Sequence, residues 1–245
     1  MPTPRWPRRP RCGKCGSRDS FPGMSFFSGL GKPNLGPPYL ISGPTLLSSP
    51  SSRPKAYPEV MATPRAALIV IDVQAGFDDP RWGRRDNPDA EANIARLVGT
   101  WRGSHLPLVL VRHDSQRPGS PLAPGQPGNA LRGFVDGPAD LFVTKSVNSA
   151  FYGEPDLELW LESQEIDDLV ICGVQTNFCC ETTARMAGNL GYRVRFALDA
   201  THTFDRVAPD GTTIPAEELA RVTATNLHGE FADVVSTAEV LASLD

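Results

Sequence analysis

The chain has 245 residues, 40% of them apolar, with 24 basic and 28 acidic side chains and a net charge of −4. That length suits one large domain or two small ones, and no apolar run is long enough to cross a bilayer. Five cysteines, oddly numbered and unevenly spaced, do not make a secreted disulfide framework, so a reducing, cytoplasmic setting is expected.

The charge is divided unevenly. Residues 1–60 carry nine Lys/Arg against two acids, while residues 61–245 carry 15 basic and 26 acidic side chains. An acidic body gives no electrostatic case for nucleic acid or an anionic membrane as partner. Residues 1–60 also hold half of the 24 prolines and show no helical or strand periodicity. Such a stretch buries too little apolar surface to offset its ordering entropy, so a disordered extension is expected there. Its prolines disfavour the amphipathic helix of an organelle signal, and "MATPRAALIVIDVQ" from Met61 leads straight into a strand. "CGKCG" (Cys12, Cys15) has half of a zinc spacing, but no further Cys or His accompanies it before residue 61, so a closed structural site is not expected.

From Ala66 the pattern becomes regular. "AALIVID" (66–72), "PLVLVRH" (107–113), "DLFVTK" (140–145), "DDLVICGV" (167–174), "YRVRFALDA" (192–200) and "FADVVS" (231–236) read as strands. Continuous apolar runs of this length suit strands buried on both faces. Between them, 89–103, 155–164, 180–191 and 215–229 read as helices. Ile94, Leu97, Val98 and Trp101 stand at helical spacing in the first, and Gly191 closes the third. A long Pro/Gly-rich segment, 114–137, is too long for a plain connector and suggests a substrate lid. Alternating strands and helices predict an α/β fold of three layers, α/β/α, around a parallel sheet. Ligands gather at the carboxyl ends of such strands.

Those ends carry chemistry. The first strand ends at Asp72, the third at Lys145, and the fourth leads through a short turn to Cys179. Each alone has an ordinary reading: a loop acid, a solvated lysine, a small buried thiol. Together they suit nucleophilic catalysis. Lys145 and a helix N-terminus would stabilise a Cys179 thiolate, and Asp72 would accept the thiol proton and return it to a leaving nitrogen. Backbone N–H groups in the turn "GVQTNFC" would hold an oxyanion.

"LIVIDVQAGF", "VTKSVNSAF" and "GVQTNFCCETTARMA" together resemble the isochorismatase-like cysteine hydrolase superfamily, which includes nicotinamidases and N-carbamoylsarcosine amidohydrolases. The likeness covers about residues 65–240. It implies a six-stranded parallel sheet of order 3-2-1-4-5-6 and a catalytic triad of Asp72, Lys145 and Cys179. It also implies a cis peptide at Val174–Gln175, with the N–H groups of Gln175 and Cys179 as the oxyanion hole. Subunits in that superfamily often complete one another's clefts, so a homo-oligomer is expected. Cys180 stands where valine is common and reads as a packing residue; a resolving thiol is the alternative.

Nicotinamidases carry a metal site with several histidines after the second strand. Here no further histidine appears between His113, at the end of that strand, and His202, so no metal and no cofactor is expected. Having Cys179 points to carbon–nitrogen hydrolysis of a small amide, lactam or ureido compound. Alternatives are vinyl-ether hydrolysis of the isochorismatase type, or a non-catalytic scaffold of the same fold. "SPLAPGQPGNALRG" resembles a streptothricin-hydrolase-like subgroup. By position, Phe77, Trp82, His113, Phe151, Tyr152 and Phe178 are candidate substrate-binding residues. Gln74 is placed to hold the loop after Asp72, and His202, after the fifth strand, is expected at a cap or on the surface, with the cleft as the alternative.

Overall fold

The computed structural model describes residues 66–244, and the expectations for the N-terminal extension lie outside these residues. Six strands form one parallel sheet: β1 (Ala67–Ile71), β2 (Leu108–His113), β3 (Leu141–Lys145), β4 (Asp168–Val174), β5 (Arg193–His202) and β8 (Asp233–Val235). Their order is β3-β2-β1-β4-β5-β8. This is the expected topology. The sixth strand is numbered eight because a small antiparallel hairpin, β6 (Arg206–Val207) and β7 (Thr213–Ile214), intervenes.

Alternation along β1 builds two cores. Ala67, Ile69 and Ile71 face one layer with Leu157, Leu161, Ala184, Ala187 and Leu227. These come from α2 (Leu157–Ser163), α3 (Glu181–Asn189) and α4 (Ala216–Leu227). Leu68 and Val70 face the other layer with Ile94, Leu97, Val98, Trp101 and Val240, from α1 (Ala90–Gly103) and α5 (Thr237–Ala242). Burying one such large apolar side chain fully contributes about 1.5–3 kcal/mol. The Trp101 indole also donates to the Ala66 carbonyl at 3.0 Å, so its polar edge is satisfied in the core. Helix α2 begins two residues later than the sequence suggests. Pro155 precedes it, and the Asp156 side chain caps it by accepting from the Leu159 N–H.

Two backbone features fix the carboxyl edge of the sheet. Asp72 has φ +53, a left-handed conformation that short polar residues tolerate, and it turns the chain out of β1. Gly173 has φ +126, and a Cβ there would stand 2.0 Å from the Ile71 carbonyl oxygen. Only glycine lets β4 approach β1 so closely at the strand end.

The long segment 114–137 is anchored to the core at a few buried points. Leu122 is buried against Phe77, Val174 and Phe204, and Asn129 is buried in a 3₁₀ turn, Pro127–Asn129. The Asn129 side chain donates to the Leu122 carbonyl and to Asp114 Oδ1, both at 2.9 Å.

Candidate active site

The ends of β1, β2, β3 and β4 meet at one point. Lys145 Nζ lies 2.6 Å from Asp72 Oδ2, and both side chains are fully buried. A carboxylate oxygen of Asp72, a ring nitrogen of His113 and the Cys179 sulfur lie within 4.8 Å of one another. Cys179 is 8% exposed, whereas Cys180 is fully buried. The nucleophile candidate sits in a π-helical turn, Thr176–Cys180, that runs directly into α3. The Val174–Gln175 peptide before it is cis. Thr176 Oγ1 donates to Thr201 Oγ1 at 2.9 Å, tying the turn to β5.

Among the described residues, three buried side-chain atoms have no hydrogen-bond partner: Asp72 Oδ1, Gln175 Oε1 and His202 Nδ1. Buried polar atoms are normally paired, so the free oxygen of Asp72 marks a place where a proton or a ligand is received. Asn148, overlooked in the sequence, puts Oδ1 at 3.8 Å from the Cys179 sulfur.

The electrostatics correct one expectation. Burial pushes the Cys179 thiol well up, and the Asp72 carboxylate pushes it further, against the pull of Lys145. Lys145 still favours the thiolate, but Asp72 offsets its charge and burial outweighs it. Burial alone would lower Lys145, but Asp72 and then Cys179 hold it above the usual lysine value. The resting pair is therefore a thiol beside an ion pair.

His202 also departs from expectation. It is 2% exposed, not on the surface. Its Nε2 lies 4.0 Å from Glu91, which binds Arg85 at 2.5 Å, with Arg132 3.8 Å from the same carboxylate oxygen; the edge of Phe204 closes the other side. Burial, and next the Arg85 charge, press the imidazole down to about 3. The unfolded chain takes up this proton below about pH 6.5, while the folded chain does not. His202 therefore costs no stability above that value and costs progressively more as pH falls towards 3. Replacing it in His202→Gln should flatten the stability–pH curve between about pH 6.5 and 3, read by urea unfolding.

The Isochorismatase domain family matches residues 66–239. The chain belongs to the isochorismatase family. An isochorismatase-family protein of Bacillus subtilis (strain 168) is 37% identical over 179 residues, covering 72% of this chain and 95% of its own length. Nicotinamidase 3 of Arabidopsis thaliana is 32% identical over 194 residues, covering 73% and 88%. A streptothricin hydrolase of Streptomyces noursei is 33% identical over 179 residues, covering 71% of this chain and 63% of its own length. A solved structure from Chromobacterium violaceum ATCC 12472, of the same family, is 40% identical with TM-score 0.71, covering 75% and 95%. This chain is thus an isochorismatase-family hydrolase. No helix among the described residues is long and apolar enough to cross a membrane.

Within this family member, the candidate pocket residues separate. Phe77 and Trp82 pack together with ring centroids 5.1 Å apart, and Phe204, overlooked in the sequence, stacks on both at 6.2 and 5.7 Å. Val174, at the end of β4, packs into the same cluster, which brings the aromatics to the site's edge. Phe178 is half-buried beneath the Arg206 guanidinium, 4.7 Å from its ring. Phe151 packs inside the core against Tyr192. Tyr152 is 69% exposed on its 3₁₀ turn and is not drawn into the cluster.

The Asp72–His113–Cys179 group does not suit a metal ion. The Lys145 ammonium lies 2.6 Å from Asp72 and 3.4 Å from His113 Nδ1, so a second cation there would meet a buried positive charge. Asp114 offers no alternative ligand, because Arg112 binds it at 2.8 and 3.0 Å and Asn129 at 2.9 Å.

Proposed function

We propose that this isochorismatase-family chain cleaves a carbon–nitrogen bond of a small amide, lactam or ureido compound through a thioester on Cys179. The observation that carries the reading is the meeting of Asp72, Lys145 and Cys179 from three separate strand ends, with Asp72 Oδ1 left without a partner. The nicotinamidase and streptothricin hydrolase relatives support an amide-type substrate.

The steps follow from the charge arrangement. Asp72 takes the proton from the Cys179 thiol as sulfur attacks the substrate carbonyl carbon, so the high thiol pKa is met by a base within reach. Lys145 offsets the negative charge passing through sulfur. The backbone N–H groups of Gln175 and Cys179 hold the oxyanion, a role worth about 3–4 kcal/mol per donor. The carbon–nitrogen bond then breaks, and Asp72 gives its proton to the leaving nitrogen. Water next adds to the thioester, losing a proton to Asp72, and collapse releases the acid and restores the thiol. Phe77, Trp82, Phe204 and Phe178 supply an apolar wall for the substrate body.

A panel of small primary amides, lactams and ureido compounds, scored for ammonia or amine release, tests this directly. Release from at least one class is expected. Turnover confined to a vinyl ether, and retained in Cys179→Ala, would replace the thioester route with isochorismatase-type chemistry.

A further inference from the structure

His113 is held with unusual care for a residue that only lines a pocket. Its N–H donates to Gln74 Oε1 at 2.8 Å, and its carbonyl accepts from Gln74 Nε2 at 3.1 Å and from Asn129 Nδ2 at 3.3 Å. Gln74 is fully buried, and its Nε2 also donates to the Asn129 carbonyl at 2.9 Å. Two amide side chains from two different loops thus fix the last residue of β2. They aim its ring at the end of β3, where His113 pairs in register with Lys145.

The Lys145 ammonium has three protons and no acceptor capacity. Asp72 Oδ2 takes one at 2.6 Å, and the Cys179 sulfur lies within 4.8 Å of the Asp72 and His113 atoms that flank the ammonium. His113 Nδ1, 3.4 Å away, is positioned for another. The structure assigns His113 as a positioning residue for Lys145: its Nδ1 receives one ammonium proton and thereby fixes the direction of the one that faces the Cys179 sulfur. Burial, then the Lys145 charge, hold the imidazole below its ordinary value, and an ammonium facing Nδ1 selects the tautomer with its proton on Nε2, which leaves the Nδ1 lone pair as acceptor. A buried N–H left without an acceptor is costly, so losing Nδ1 lets the ammonium rotate or shed its proton more readily. This rests on the proposed cysteine chemistry, but it concerns the resting protein and is readable without a substrate.

The test is the rate of Cys179 alkylation by iodoacetamide against pH, mapped to that peptide by mass spectrometry. Three variants are compared: His113→Leu, which removes the acceptor; His113→Asn, whose Oδ1 falls near the Nδ1 position; and His113→Gln, whose amide reaches past it. Expected are a roughly tenfold slower reaction at pH 8 for Leu and Gln, and a rate within about threefold of wild type for Asn. On any amide turned over, kcat should follow the same order with KM little changed. The basic limb of the profile should move to lower pH in Leu and Gln and return in Asn. Equal rates in Asn and Gln, or an effect on KM alone, would overturn the assignment. Because Asn and Gln are both polar, their comparison stands even if the Leu variant does not fold. An absence of amide turnover in wild type would count against the proposed function and leave the alkylation result to decide this inference.

Discussion

Cys179→Ala should reduce kcat for amide hydrolysis by about 10⁴-fold or more while leaving the fold intact. The side chain lost is small, and Cys179 is one member of a large apolar layer that the other residues of β1, β4, α2 and α3 fill. The folding cost should therefore be modest, and circular dichroism and thermal melting should match wild type closely. Loss of turnover with an unchanged melt identifies the sulfur as a reacting atom. Thiol titration alone cannot give this answer. Burial and Asp72 raise the Cys179 pKa, so a mostly protonated, slowly alkylated thiol is compatible with an active enzyme.

Lys145→Met should destabilise the domain by about 3–5 kcal/mol, because it leaves the Asp72 carboxylate buried without a counter-ion. For a domain of this size that corresponds to a fall in Tm of roughly 6–20 °C. The double variant Asp72→Asn with Lys145→Met should recover much of the loss. It removes the uncompensated charge, and asparagine tolerates the left-handed backbone that Asp72 adopts. Equal melting temperatures for the single and double variants would contradict the account of this pair. Activity should be lost in both, which separates the stabilising role of the ion pair from its chemical role.

Much of the architecture was legible because central parallel strands are buried on both faces. β1 and β4 read as unbroken apolar runs, and their polar ends stood out against them. That is why Asp72, Lys145 and Cys179 could be named from strand ends, while the strand order came from the family resemblance. Local chemistry was harder to read. The π turn at Thr176–Cys180 read only as a short turn ahead of a helix from 180, because one extra residue per turn leaves no mark in the spacing of apolar side chains. Helix α5 carried a readable signal that was passed over: Ser236 and Glu239 form a capping box at its start.

Partners brought in from afar were the least visible. Phe204 follows β5 and looks like an ordinary loop residue, yet it stacks on Phe77 and Trp82. His202 was expected outside because a lone histidine after a strand usually is. It is buried because Glu91, Arg85 and Arg132 converge beside it from other parts of the chain. The Cys179 charge state was misjudged for the same reason. Its value depends on burial and on the Asp72–Lys145 pair, neither of which has a one-dimensional signature.

Intact-mass analysis of the protein after rapid quenching with its best amide substrate probes the thioester most directly. A mass increase equal to the substrate's acyl group, located on the Cys179 peptide and absent from Cys179→Ala, is the predicted result. Steady turnover with no adduct at any quench time, and undiminished turnover in Cys179→Ala, would contradict it.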